Sequence, residues 1–246
     1  MLGDFCLRLA CGLVCSLLLL SPAQGNPRFF RVHFLTALCL TAVAAVFLRE
    51  LADLWAWIAL GAGLLFAFLG ALSWSVEKAP GRRGLIILAS ISLLAALARC
   101  ALLSSSEGTE AWKLAGEITS AAVLGTATTA MLMGHSYLIA PAMSLTPLLR
   151  LVASLFVSLL ARALAGGLAF WTSGISLSKL DDTTMVLPVR WGLGIVLPLV
   201  LAVMAWQTAR MRSTQSATGI LYVAVIFCFV GELTSQLLYQ WNGYML

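Results

Sequence analysis

Eight stretches of about 20 predominantly apolar residues follow one another along the chain, each the length of helix that crosses a hydrocarbon core of about 30 Å. They cover residues 5–20, 29–48, 54–74, 84–103, 114–139, 148–171, 189–209 and 219–239. Lipid offers no partner for a backbone N–H or C=O, so each stretch has to pair its own backbone and is expected to be a helix. Composition excludes the alternatives: 61% of the residues are hydrophobic and 10% charged, where soluble domains carry roughly 45–50% and about 25%. Disordered chains are poor in apolar residues and are excluded by the same figures. The expected fold is an all-α integral membrane bundle of about eight transmembrane helices, a single polytopic domain over 1–246.

The connectors carry helix breakers: Ser21 to Pro27, Pro80-Gly81, Ser104 to Gly108, Pro141, Pro147 and Lys179 to Asp182. None is long enough for a soluble domain, and the longest, about 172–187, keeps apolar residues and is expected along the interface. The first stretch ends in Ser21-Pro22-Ala23-Gln24-Gly25 and imitates a signal peptide, but only Arg8 precedes it while Arg28 and Arg31 follow, so it is read as a retained first helix. With eight crossings, one side collects Arg28, Arg31, Lys78, Arg82, Arg83, Arg150, Arg210 and Arg212, against Arg8, Arg49, Lys113 and Lys179 on the other. Basic loops stay in the cytoplasm, which predicts both termini on the non-cytoplasmic side of a bacterial inner membrane. The net charge of +5 comes from these scattered residues. It is expected to meet lipid headgroups rather than nucleic acid.

Charges within the apolar stretches are costly and need a partner or a task. Arg99, Glu117, Arg162 and Glu232 all trace to the outer half of the bundle, where they can simply neutralise one another. They can also form a quinone or proton site, with Gln236 one turn beyond Glu232 on the same helix face.

The two histidines, His33 and His135, fall at equal depth near the opposite surface. They are read either as interface residues, as hydrogen-bond donors to a quinone, or as axial ligands of one b-type haem, with Arg28, Arg31 and Arg150 placed for its propionates. Glu117 and His135 are 18 residues apart, five turns of helix, so one stripe would carry both, together with Leu124, Thr128 and Met131. The small residues from Gly125 to Ala130 allow close approach and place this helix centrally.

Other features are weaker. Six cysteines without CxxC spacing read as small apolar residues. Gly166-Gly167 and Gly192-x-Gly194 are expected close-packing points, and Trp74, Trp112, Trp171, Trp191 and Trp241 an interfacial belt. No hydrolase motif and no convincing internal repeat is present, and no metal other than haem iron is expected.

The layout of eight helices, together with Ala217-Thr218-Gly219-Ile220-Leu221-Tyr222 and Gly231-Glu232-Leu233, resembles the membrane-anchor subunits of dimethyl sulfoxide and polysulfide reductases. The likeness departs after the Gly-Glu pair, where the family commonly has a basic residue and Ser235 and Gln236 stand here. It implies quinone chemistry, partner subunits and Glu232 as a site residue. Three functions stay open: a respiratory-complex subunit binding quinone, haem or both and at most contributing a quinone site; a small proton-coupled transporter or channel; and a purely structural membrane subunit.

Overall fold

In a computed structural model the described residues are 1–21, 26–49, 53–76, 81–105, 109–139, 144–173 and 186–242. They contain no strand. α1 spans Leu2–Ser16 and continues through a 3₁₀ turn at Leu17–Leu19. It is followed by α2 (Pro27–Phe47), α3 (Leu54–Ser73), α4 (Arg82–Leu103), α5 (Glu110–Ile139), α6 (Thr146–Ser173), α7 (Val186–Arg210) and α8 (Thr214–Asn242). These coincide with the eight apolar stretches to within a few residues. The differences lie at the starts, where polar residues continue the helix as caps. Asn26 accepts from the Arg28 amide at 3.0 Å ahead of Pro27, and Asp53 accepts from the Ala56 amide at 3.0 Å. Pro147, expected as a breaker, sits in the first turn of α6, where its missing N–H costs nothing. Most of the connector at 172–187, together with Lys78, Pro141, Lys179 and Asp181-Asp182, lies outside the described residues.

Seven helices are long and apolar enough to cross a membrane. The eighth, α5, has the length but interrupts its apolar run with Glu117, Ser120, Thr126 and Thr129, all buried inside the bundle. The molecule is apolar outside and charged inside: Leu54 and Leu164 are 71% and 66% exposed, while Glu117 is 4% and Arg162 1% exposed. That distribution fits an integral membrane protein.

The packing order recurs although the sequence does not. α1 to α4 close a ring, each helix against the next and α4 back against α1, and α5 to α8 close a second ring in the same way. α1 and α4 both pack on α5, which joins the rings. Met1 and Lys113 line one cavity, so both rings begin at the same end of the bundle. Ser104 and Gln240, at the ends of α4 and α8, line it too.

The joint between α1 and α5 is a zip of four-residue steps, the spacing at which residues share a helix face. Arg8, Gly12 and Ser16 of α1 meet Glu117, Gly125 and Thr129 of α5. At Gly12 and Gly125 the two backbones touch, and a Cβ on either would overlap the other chain segment. One turn further the Ser16 and Thr129 hydroxyls lie 2.5 Å apart. α1 therefore packs into the bundle along this face. Gly194 and Gly231 make a similar contact between α7 and α8, while a Cβ at Gly192 would meet nothing within 4 Å.

Two expectations about surface residues are corrected. Trp74 is buried, stacked on Phe30 at 4.2 Å with the Arg82 guanidinium over its ring, because α3 ends against the start of α2. Trp171 and Trp241 are exposed. All six cysteines are free thiols, but only Cys6, Cys11, Cys100 and Cys228 are buried.

Gly125→Leu should lower the stability of the detergent-solubilised protein by about 2 kcal/mol or more, the range of an overpacked core. Gly84→Ala, where a Cβ meets nothing, should leave the thermal midpoint unchanged. Equal midpoints for both variants would contradict the close α1–α5 contact.

Candidate functional site

The side chains that lipid would reject gather in a column through the joint of the two rings. At its upper end, nearest the start of α1, Arg8 forks onto Glu117 of α5 through both Nε and Nη2. The Arg8 Nη1 donates to Gln236 Oε1 at 2.8 Å, and the Gln236 amide donates to the Met1 carbonyl at 3.2 Å. One turn back along α8, Glu232 receives Arg162 of α6 in a second fork, Nε at 3.0 Å and Nη2 at 3.2 Å. The same Nη2 donates to Ser235 Oγ at 2.8 Å. Arg190 of α7 lies 3.4 Å from the Glu232 carboxylate. All five charged residues are no more than 4% exposed.

Each part of this arrangement has a local cause. The four-residue step from Glu232 to Gln236 presents both to one side of α8, as the sequence indicated. Arg190 reaches the column because α7 is wound as a π-helix over Val189–Val196. Pro198 has no N–H to give to the Gly194 carbonyl, so the ordinary i→i−4 ladder is broken there. The resulting wide turn lets Gly194 close on Gly231 and turns Arg190 inward.

Of the four intramembrane charges expected to share one cluster, Arg162 and Glu232 pair directly and Glu117 joins them through Arg8 and Gln236. Arg99 does not take part. It forks instead onto Asp53, the cap of α3, at 3.0 and 3.1 Å, with 40% of its side chain exposed. That carboxylate stands at the bundle end that α4 reaches at Arg99, so the nearest counter-charge is local. The Arg99 hydrogen bonds hold the Asp53 carboxyl below its ordinary value, against the opposing effect of desolvation.

Arg8 and Arg190 were missed by the sequence reading. Arg8 sits near the chain start and resembles a flanking interface residue. Arg190 stands at the edge of its apolar stretch, and only the earlier helix start at Val186 carries it inward. The available signal for Arg8 was the four-residue series of Arg8, Gly12 and Ser16.

The histidines have different surroundings. His33 is 1% exposed, packed on the Phe29 ring at 4.2 Å and bonded through Nδ1 to the Phe29 carbonyl at 2.9 Å. His135 is exposed, with the Tyr222 hydroxyl 3.5 Å from its Nδ1. α2 packs against α1 and α3, whereas α5 packs against α1, α4, α6 and α8. Axial ligation needs two imidazoles aimed at one point, and this placement lends it no support. The shared stripe with Glu117 does not hold: Glu117 is buried and His135 exposed, because the buried surface of α5 spreads over most of the helix between 120 and 130 and narrows to 133, 134 and 137 towards its end. Arg28, Arg31 and Arg150 are exposed in the first turns of α2 and α6.

A cavity of about 130 Å³ opens beside the upper end of the column. Arg8, Glu117 and Gln236 line its inner part, and Asp4, Lys113 and Tyr239 its outer part. The Tyr239 hydroxyl donates to the Ser104 carbonyl at 2.9 Å, and the Lys113 ammonium lies 3.4 Å from the centre of the Tyr239 ring. Deeper in the bundle Gly12, one turn beyond Arg8, and Gly125, two turns beyond Glu117, close the joint by backbone contact. Among the described residues no group of three or more His, Cys, Asp or Glu is placed to hold a metal ion.

No known family, curated protein or solved structure matches this chain. Fold and site define a helical protein of membrane character with a buried ionic column.

Removing one partner of a buried pair leaves an uncompensated charge, which costs about 3–5 kcal/mol, whereas replacing both partners by apolar residues is often neutral. Arg8→Met and Glu117→Met should each lower the thermal midpoint sharply, and the double variant should recover most of the loss. Additive losses in the double variant would contradict the pairing.

Proposed function

We propose that this chain is an integral membrane subunit of an electron-transfer assembly, with eight crossings and a quinone headgroup site in the cavity beside Arg8 and Glu117. The observation that carries the proposal is a cavity that enters from one end of the bundle and reaches a paired carboxylate at the joint of the two rings. A quinone site needs hydrogen-bond donors for the ring oxygens and a route for protons, since reduction to quinol takes up two electrons and two protons. Lys113, Arg8 and Gln236 supply donors, the Glu117 carboxylate stands at the inner end, and the cavity mouth is polar. The electrons come from a partner subunit. Distribution of Lys and Arg supports placing that mouth, the start of α1 and the end of α8 on the non-cytoplasmic side.

In lipid nanodiscs a short-chain naphthoquinone should bind saturably, and Gln236→Leu should weaken it about tenfold, a loss of roughly 1.4 kcal/mol. Absence of saturable binding would overturn the proposal. One observation favours a second reading, a small transporter: two rings that begin at the same end recur as parallel repeats do, with a charged site between them. Proton-coupled solute uptake into proteoliposomes, without quinone binding, is the result that would select it.

Extraction from native membranes in mild detergent should recover the chain with other subunits, and reporters fused before Met1 and after Leu246 should both read the non-cytoplasmic side. Recovery of the chain alone would contradict the first expectation, and cytoplasmic signals from both reporters the second.

A further inference from the structure

The cavity carries one positive charge more than its own carboxylates offset. Asp4 is paired with the Met1 amino group at 3.1 Å, and Glu117 is taken by the Arg8 fork. Gln236 uses both ends of its amide on Arg8 and the Met1 carbonyl. Lys113 remains. Its side chain is buried, 7% of the residue being exposed, and it lines the cavity with its ammonium against the face of the Tyr239 ring. Among the described residues no carboxylate lies within ion-pair distance of it.

An ammonium has three donors and no acceptor, and a ring face satisfies at most one direction. Enclosed among apolar helices, it raises the potential of the cavity, and low dielectric makes that potential strong. The Tyr239 ring also fixes where the charge sits: α8 ends above the first turn of α5, and the Tyr239 hydroxyl is tied to Ser104 at the end of α4. The ammonium is thus held by three helices at the polar mouth, while Arg8 and Glu117 neutralise each other further in. At rest the polar mouth admits water to hydrate the charge.

We infer that the cavity selects an oxyanion, and that Lys113 is the group that selects it. Resting on the quinone-site reading, this names the ligand as a ring whose oxygen is ionised, such as a deprotonated quinol or an acidic hydroxyquinone, in preference to the neutral quinone. The oxygen takes the place of water on Lys113, and the ring lies towards Leu7 and Leu97, the apolar part of the lining.

The test uses the full chain in nanodiscs of zwitterionic lipid at neutral pH, with titration calorimetry as readout. The probes are a hydroxymethylnaphthoquinone that is ionised at this pH, its neutral dimethylnaphthoquinone isostere, and benzoate as an anion without redox chemistry. The ionised quinone should bind at least about tenfold more tightly than its isostere. Lys113→Gln should abolish that preference, and Lys113→Arg should retain it. Equal affinity of the two quinones, or a preference that survives Lys113→Gln, would overturn the inference and leave the quinone site standing. Saturable benzoate binding that Lys113→Gln removes, with no binding of either quinone, would keep the oxyanion site and overturn the quinone reading instead. No binding of any of the three would overturn both. Unchanged thermal midpoints of the Lys113 variants establish that they are folded.

Discussion

The bundle depends on the ion pair between Arg8 and Glu117, because it sets the register of the close joint between α1 and α5, where the two rings meet. Charges leave water at high cost, and their attraction offsets that cost only in good geometry with the remaining hydrogen-bonding positions filled. The fork, the Gln236 amide and the second fork at Glu232 meet that condition across four helices. Burial of apolar surface cannot perform this task in lipid, where the surroundings are as apolar as the core. Close backbone approach at Gly12 and Gly125 and the polar column supply the specificity between them.

The same constraint explains why α5 is the least apolar of the long helices. A helix enclosed by α1, α4, α6 and α8 meets little lipid, so it can carry Glu117, Ser120, Thr126 and Thr129 without exposing them. The surrounding helices show the reverse pattern, with leucine, valine and isoleucine outward and alanine inward. Function and stability therefore draw on one set of residues: those that bind the rings together also form the inner wall of the cavity.

Helix number, approximate boundaries and the central position of α5 were legible because length, apolarity and runs of small residues are local properties. Glu232 beside Gln236 was legible for the same reason, being a four-residue step on one helix. Partners across helices were not. Arg8 looked like a flanking charge, Arg190 depended on a π-turn at the start of its apolar stretch, and Arg99 had a nearer acid in the cap of α3. The stripe from Glu117 to His135 assumed one buried face along α5, whereas the helix is buried on most sides in its middle and leaves His135 exposed near its end. No composition or spacing rule encodes those outcomes, since each depends on which helix stands next to which.

The most direct measurement is the nitrogen-to-carbon dipolar coupling between arginine guanidinium and glutamate carboxyl groups, by solid-state NMR of the labelled protein in lipid bilayers. Direct pairs have N···O distances of no more than about 4 Å. Strong through-space correlations should appear for Glu117 with Arg8 and for Glu232 with both Arg162 and Arg190, with Arg8→Met removing the first and Arg162→Met one of the two at Glu232. A bilayer sample with no arginine–glutamate correlation, or with a single one that neither substitution removes, would contradict the ionic joint on which the two rings depend.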